Sequence, residues 1–117
     1  MEKRMSVSYD EEEDILSLLN TENVNESVQI GDIIIDLDTQ FKIVGIEIFN
    51  ATKFFKSANI SKEFLSDIKE ARLRVHYGNN WASMIIILHS GTTEQPIEKE
   101  VTIPIIETQK TAMPVTA

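Results

Sequence analysis

No cysteine occurs in the 117 residues, which excludes disulfides, thiolate metal sites, iron–sulfur clusters and a cysteine nucleophile together. Only four glycines are available for phosphate-cradling turns, and no nucleophile elbow, Walker loop, dinucleotide fingerprint or His-Glu-x-x-His string is present. Catalysis by one of those motifs is not expected, and no cofactor is implied. Long apolar runs are also missing. Ile33-Ile34-Ile35 and Met84 to Leu88 fall far short of the roughly 20 residues that a membrane span needs. The charged opening Met1-Glu2-Lys3-Arg4 is not followed by the apolar stretch of a signal peptide. A soluble, cytoplasmic protein without a membrane partner is expected, and the Asn-x-Ser/Thr triplets at Asn25, Asn50 and Asn59 then read as chance.

Basic residues are scarce as well: 11 Lys and Arg stand against 19 Asp and Glu, a formal charge of −8. The summed field repels polyphosphate, and nucleic-acid binding normally begins with a basic footprint, so direct DNA or RNA binding is disfavoured. The same field favours encounter with a basic partner. A hydrophobic share of 42% and a length of 117 residues suit one core and one domain, expected over residues 1–107, with 108–117 as a flexible tail.

Met5, Val7 and Tyr9 alternate with Ser6 and Ser8, the run Asp10 to Asp14 interrupts, and Ile15 to Leu19 resumes. Two short strands joined by an acidic turn fit this pattern, and a helix starting near Asp10 is the competing reading. Strands over Val28 to Leu37 and Lys42 to Phe49 form a hairpin, with Leu37 set opposite Lys42. That register puts Ile33, Ile35, Leu37, Val44, Ile46 and Ile48 on one apolar face and leaves Asp32, Asp36 and Glu47 on the other. Asn50 is positioned to cap a helix over Ala51 to Lys56. Ser61 caps a second over Lys62 to Ile68, with Ile60 and Leu65 as its staple. Strict alternation predicts a strand over Glu70 to Tyr77. Trp81 to His89, apolar on both faces, reads as a central strand. The last strand, from Ile97 through Ile105, sits at an edge because Pro104 withholds a ladder donor. The expected fold class is α+β: an antiparallel sheet of about six or seven strands, with one short helical element over about residues 50–68 between two hairpin-containing halves.

The N-terminal residues also form a pattern: Tyr9-Asp10, Asp14-x-Leu16, Asp36-x-Asp38, Gly45-x-Glu47-x and Asn50-Ala51-Thr52-Lys53. Over about residues 6–54 this resembles a widespread prokaryotic family of small proteins catalogued as a domain of unknown function. The resemblance implies a compact antiparallel β domain with a short helix and, for some members, an antitoxin-like role; it implies no catalytic residue. The family usually has glycine where this chain has Phe41, and a side chain there disfavours the positive φ of the usual turn.

Asp32, Asp36 and Glu47 are the sharpest chemical candidates, since carboxylates on one face can bind a hard cation, pair with a partner's arginines or form an acid/base couple. A solvated face that keeps the hairpin soluble is the plain alternative. The Asp10 to Asp14 run lacks the spacing and central glycine of a calcium loop and reads as a charged turn, with Asp10 capping local donors. His76 and His89 lie at opposite ends of their hairpin, some 20 Å apart at about 3.3 Å per residue, so they share no site. Tyr77 and Trp81 flank the same turn and are placed to pack together. The expected function is a non-enzymatic interaction module, either a homo-oligomer joined by sheet edges or an acidic partner of a basic protein. A small cation-dependent hydrolase or cation-binding protein using Asp32, Asp36 and Glu47 is the rival from another class, and a ligand pocket formed by residues 55–117 with the N-terminal sheet is a third reading, for which the sequence gives no polar constellation.

Overall fold

A computed structural model describes residues 2–20, 24–56, 60–91 and 93–103. The expected tail at 108–117, like Pro104 and Ile105, lies outside them.

Ten elements follow one another: β1 (Glu2–Asp10), β2 (Ile15–Leu19), β3 (Glu26–Ile30), β4 (Ile33–Leu37), β5 (Ile43–Phe49), α1 (Ala51–Phe54), α2 (Lys62–Ser66), β6 (Ile68–Tyr77), β7 (Ala82–Ser90) and β8 (Ile97–Ile103). The eight strands make one antiparallel sheet in the order β3-β4-β5-β2-β1-β6-β7-β8. Among the described residues helix is limited to segments of four and five residues, so the protein is β-rich rather than a balanced α+β fold.

The extra strand has a local cause. The expected strand over Val28 to Leu37 is broken at Gly31-Asp32 into a two-residue hairpin, with Ile30 opposite Ile33. Gly31 adopts φ 57°, which a glycine accepts without steric cost. The one expected helical element is likewise two. Residues 55 and 56 leave α1, and Ile68 already belongs to β6. Ser61 caps α2 as expected, its hydroxyl accepting the Phe64 N–H at 3.2 Å, and Ile60 and Leu65 are buried together at that end. β7 lies between β6 and β8, and β8 is an edge.

Strand β1 organises the rest. Its residues Glu2 to Met5 pair with β6, whereas Ser6 to Asp10 pair with β2. A strand that changes partners midway turns a corner in a sheet, and here it lets the inner faces of both portions contribute to one core. Leu16 and Leu18 of β2, Ile35 of β4 and Ile46 of β5 meet Leu73 of β6 and Ile86 of β7 in that core. The N–H of Ile43 donates to the Tyr77 hydroxyl at 2.8 Å, joining β5 to β6 directly. No helix among the described residues is long and apolar enough to cross a membrane.

The β4–β5 register differs from expectation by two residues: Ile33 faces Ile48, Ile35 faces Ile46 and Asp36 faces Gly45, with a bulge that sets Leu37 opposite Ile43. A shift of two preserves the faces, so Ile35, Leu37, Ile46 and Ile48 still enter the core. The bulge brings Ile43 rather than Val44 into the core cluster. In the turn, Asp38 accepts the N–H groups of Gln40 and Lys42 at 2.8 and 2.9 Å, and Phe41 takes φ 61°. The left-handed turn is thus kept without glycine, held by the Asp38 carboxylate and by partial burial of the Phe41 ring against the core.

Candidate functional site

The residues that gave the N-terminal pattern converge on one carboxylate. Asp14, the last residue of the acidic turn, stands at φ 57°, a conformation that aspartate tolerates better than most side chains. Its Oδ1 accepts the Tyr9 hydroxyl at 2.6 Å and its Oδ2 accepts the Thr52 hydroxyl at 2.7 Å. The Thr52 N–H reaches the same carboxylate at 3.2 Å, and the Ala51 N–H donates to the Asp14 carbonyl at 3.0 Å. Asp14, and not Asn50, therefore supplies the cap of α1. Asn50 occupies the cap position with left-handed backbone and no side-chain cap bond, and its amide donates instead to Asp32 at 3.3 Å. Asp10 accepts the Glu13 N–H at 3.0 Å and closes the turn, as expected.

Electrostatics make this constellation a lock rather than an acid/base pair. Partial burial pushes the Asp14 carboxyl up, but the bonds from Tyr9 and Thr52 outweigh it and hold the group below the usual carboxylate range. Burial, and then the bond to Asp14, pushes the Tyr9 phenol well above the usual tyrosine range. At neutral pH one is an anion and the other keeps its proton, so neither is poised to exchange one.

Residues 6–51 match the family model described as a protein of unknown function, DUF2283. No curated protein and no solved structure matches the chain. The DUF2283 match begins at Ser6, the residue at which β1 changes partner from β6 to β2, and it ends at Ala51, the first residue of α1. It therefore coincides with one portion of the sheet, β3-β4-β5-β2 plus the second half of β1. Both helices beyond Ala51, strands β6 to β8 and the start of β1 are added outside it.

Within the DUF2283 portion, Asp32, Asp36 and Glu47 do not come together. Asp32 lies in the Gly31-Asp32 turn, where its carbonyl accepts the Phe49 N–H at 2.8 Å. Glu47 faces Ile34, not Asp32. Asp36 is buried, accepts the Ser27 hydroxyl at 2.6 Å and sits over Gly45. Four residues of extended chain separate Asp32 from Asp36, about 13 Å. Among the described residues no group of three His, Asp or Glu side chains is close enough to hold a metal ion. His76 and His89 are at opposite ends of the β6–β7 ladder, paired with Ser83 and Glu70.

Glycine at position 45 is required by that packing. A Cβ there would stand 2.8 Å from Asp36 Oδ2 and 3.3 Å from both the Leu18 carbonyl and a Leu19 methyl. Gly45→Ala is expected to lower stability by about 1–3 kcal/mol through overpacking, read as a fall in the urea midpoint at unchanged slope.

Residues 55–117 and the N-terminal sheet do enclose a cavity, of about 500 Å³, where the DUF2283 portion meets the added strands. Its floor is Met5, Ile43, Leu73 and Val75, each nearly buried. Lys3 of β1, Lys42 and Tyr77 stand at its rim. The Lys42 ammonium lies 4.4 Å from the centre of the Tyr77 ring, and burial pushes that phenol above the usual tyrosine range. Trp81, placed by the sequence against Tyr77, covers Gly78 instead: a Cβ on Gly78 would fall within 2.2 Å of the indole. The cavity had no local signal, because its walls come from segments thirty or more residues apart and meet only when β1 turns its corner.

Proposed function

We propose that this is a non-enzymatic interaction protein that self-associates through the β3 edge. The supporting observation is that, among the described residues, β3 ends the sheet with one side unpaired and, beyond Glu26 at its first position, carries neither charge nor proline. Edge strands normally bear such devices because unpaired backbone groups recruit other strands. The opposite edge, β8, has them in Glu98, Lys99 and Glu100. A second copy is the favoured partner because β3 is self-complementary. Antiparallel pairing about Val28 sets Ser27 across from Gln29 and Glu26 across from Ile30, with no like charges opposed. The same pairing about the middle of β8 would oppose Glu100 to itself. Two further features agree with coverage of this edge: Val24, just before β3, is 52% exposed, and Glu26 Oε1 is enclosed without a hydrogen-bond partner.

Light scattering on the purified chain tests this reading. The expected mass is twice 13.3 kDa, falling to the monomer value in Gln29→Lys, which places an ammonium on the exposed side of the edge. A wild-type monomer at all concentrations, or a dimer indifferent to Gln29→Lys, overturns it. Co-purification of a stoichiometric basic protein in place of the dimer would favour the acidic-partner alternative.

A further inference from the structure

We infer that the cavity between the DUF2283 portion and the added strands is a binding site for a small amphipathic anion, a carboxylate with an apolar tail. The inference is independent of the β3 edge, because the cavity is lined from β1, β6 and the β4–β5 turn.

Charge placement carries the argument. The protein is acidic overall, and its arginines on the outward face of β1 and β6 are engaged: Arg74 with Glu2 at 2.9 Å, Arg72 with Glu70 at 2.8 Å and Arg4 with Glu70 at 3.7 Å. Lys3 and Lys42, by contrast, have no carboxylate partner among the described residues, and both stand at the rim of the same cavity. Asp38, the carboxylate of the described lining, accepts the Gln40 and Lys42 N–H groups through Oδ1 and places its charge beside Tyr77. Tyr77 adds a third donor. Its oxygen accepts from Ile43, which leaves the phenolic hydrogen to give to a ligand.

Asp38, Gln40 and His76 also line the cavity, and its floor is apolar. Met5, Leu73 and Val75 present inward side chains of β1 and β6, and Ile43 closes the opposite wall. A volume near 500 Å³ lies within the range of small-molecule sites, which combine an apolar lining with a few convergent polar groups. A carboxylate at the rim would receive charge-assisted bonds from ammonium and phenol, while its tail displaces water from the floor. A cationic amphiphile would meet two ammonium groups, and a neutral one would leave them unmatched.

Decanoate is the probe, titrated below its micelle concentration into the full chain. Binding is followed by calorimetry and by the methyl resonance of Met5, which reports the floor directly. Saturable binding of one decanoate per chain is expected, with a shifted Met5 methyl and at least tenfold weaker binding of decanol. Lys42→Met and Lys3→Met, both at exposed positions and with folding checked by unchanged melting, should each weaken decanoate about tenfold. Lys69→Met, paired with Asp67 away from the cavity, should leave it unchanged. No saturable binding, equal affinity for decanol, or affinity indifferent to Lys3 and Lys42 overturns the inference.

Discussion

Asp14→Ala is expected to lower the stability of the fold by about 3 kcal/mol. The carboxylate accepts two hydroxyls and one backbone N–H, and donors left in a half-buried site without an acceptor cost about 1–3 kcal/mol in total when water replaces part of the bonding. Alanine also fits the φ of 57° less well than aspartate. Asp14→Asn keeps the left-handed tolerance and one acceptor oxygen, so a loss nearer to half is expected. The pH dependence supplies a second readout. Because the folded state holds the Asp14 carboxyl below its ordinary value of 3.8, ionisation favours the native state. That contribution is complete above the unfolded value and is lost as pH falls through about 4 toward the depressed folded value. Urea midpoints measured down through that window should converge for wild type and Asp14→Asn. A constant difference at every pH would show that the carboxylate charge contributes nothing.

Asp14 also marks the boundary of what the sequence alone discloses. The strict alternation of β6, the doubly apolar β7, the Ser61 cap and the acidic turn were legible because each is a local signal of period or capping. The pattern joining Tyr9, Asp14 and Thr52 was visible as a string. Its meaning was not, because the bonds span 5 and 38 residues and depend on a backbone conformation that spacing does not encode. Gly31-Asp32 was a readable hairpin signal, masked by apolar residues on both sides that also suit an unbroken strand. The β4–β5 register escaped for a physical reason: a slip of two residues leaves every side chain on its own face, so the apolar pattern fits both pairings equally, and a bulge decides between them. Asp36 and Glu47 do share a face, but with other neighbours than expected, and Asp32 lies in the turn beyond it.

Phe55→Ala is the second large effect, expected at about 3–5 kcal/mol. Phe55 is fully buried and meets Phe54 edge-on, with ring centroids 4.9 Å apart at 85°. Nothing in α1 itself can hold the ring there, since a helix of four residues is far below the length at which helix is stable alone. Its position is set from both sides. The ring is anchored in the core, and the start of α1 is fixed where Ala51 and Thr52 bond to Asp14. Phe55→Leu, which keeps most of the volume, should cost less than about 1.5 kcal/mol. Because Thr52 and Phe55 belong to the same turn of chain, loss of the Asp14 cap should already loosen the seat of the ring. Asp14→Ala and Phe55→Ala combined are therefore expected to cost about 0.5–3 kcal/mol less than the sum of the two single changes. Additivity within a few tenths of a kcal/mol would instead make the carboxylate lock and the aromatic anchor independent, and would place the role of Asp14 wholly within the turn between β1 and β2.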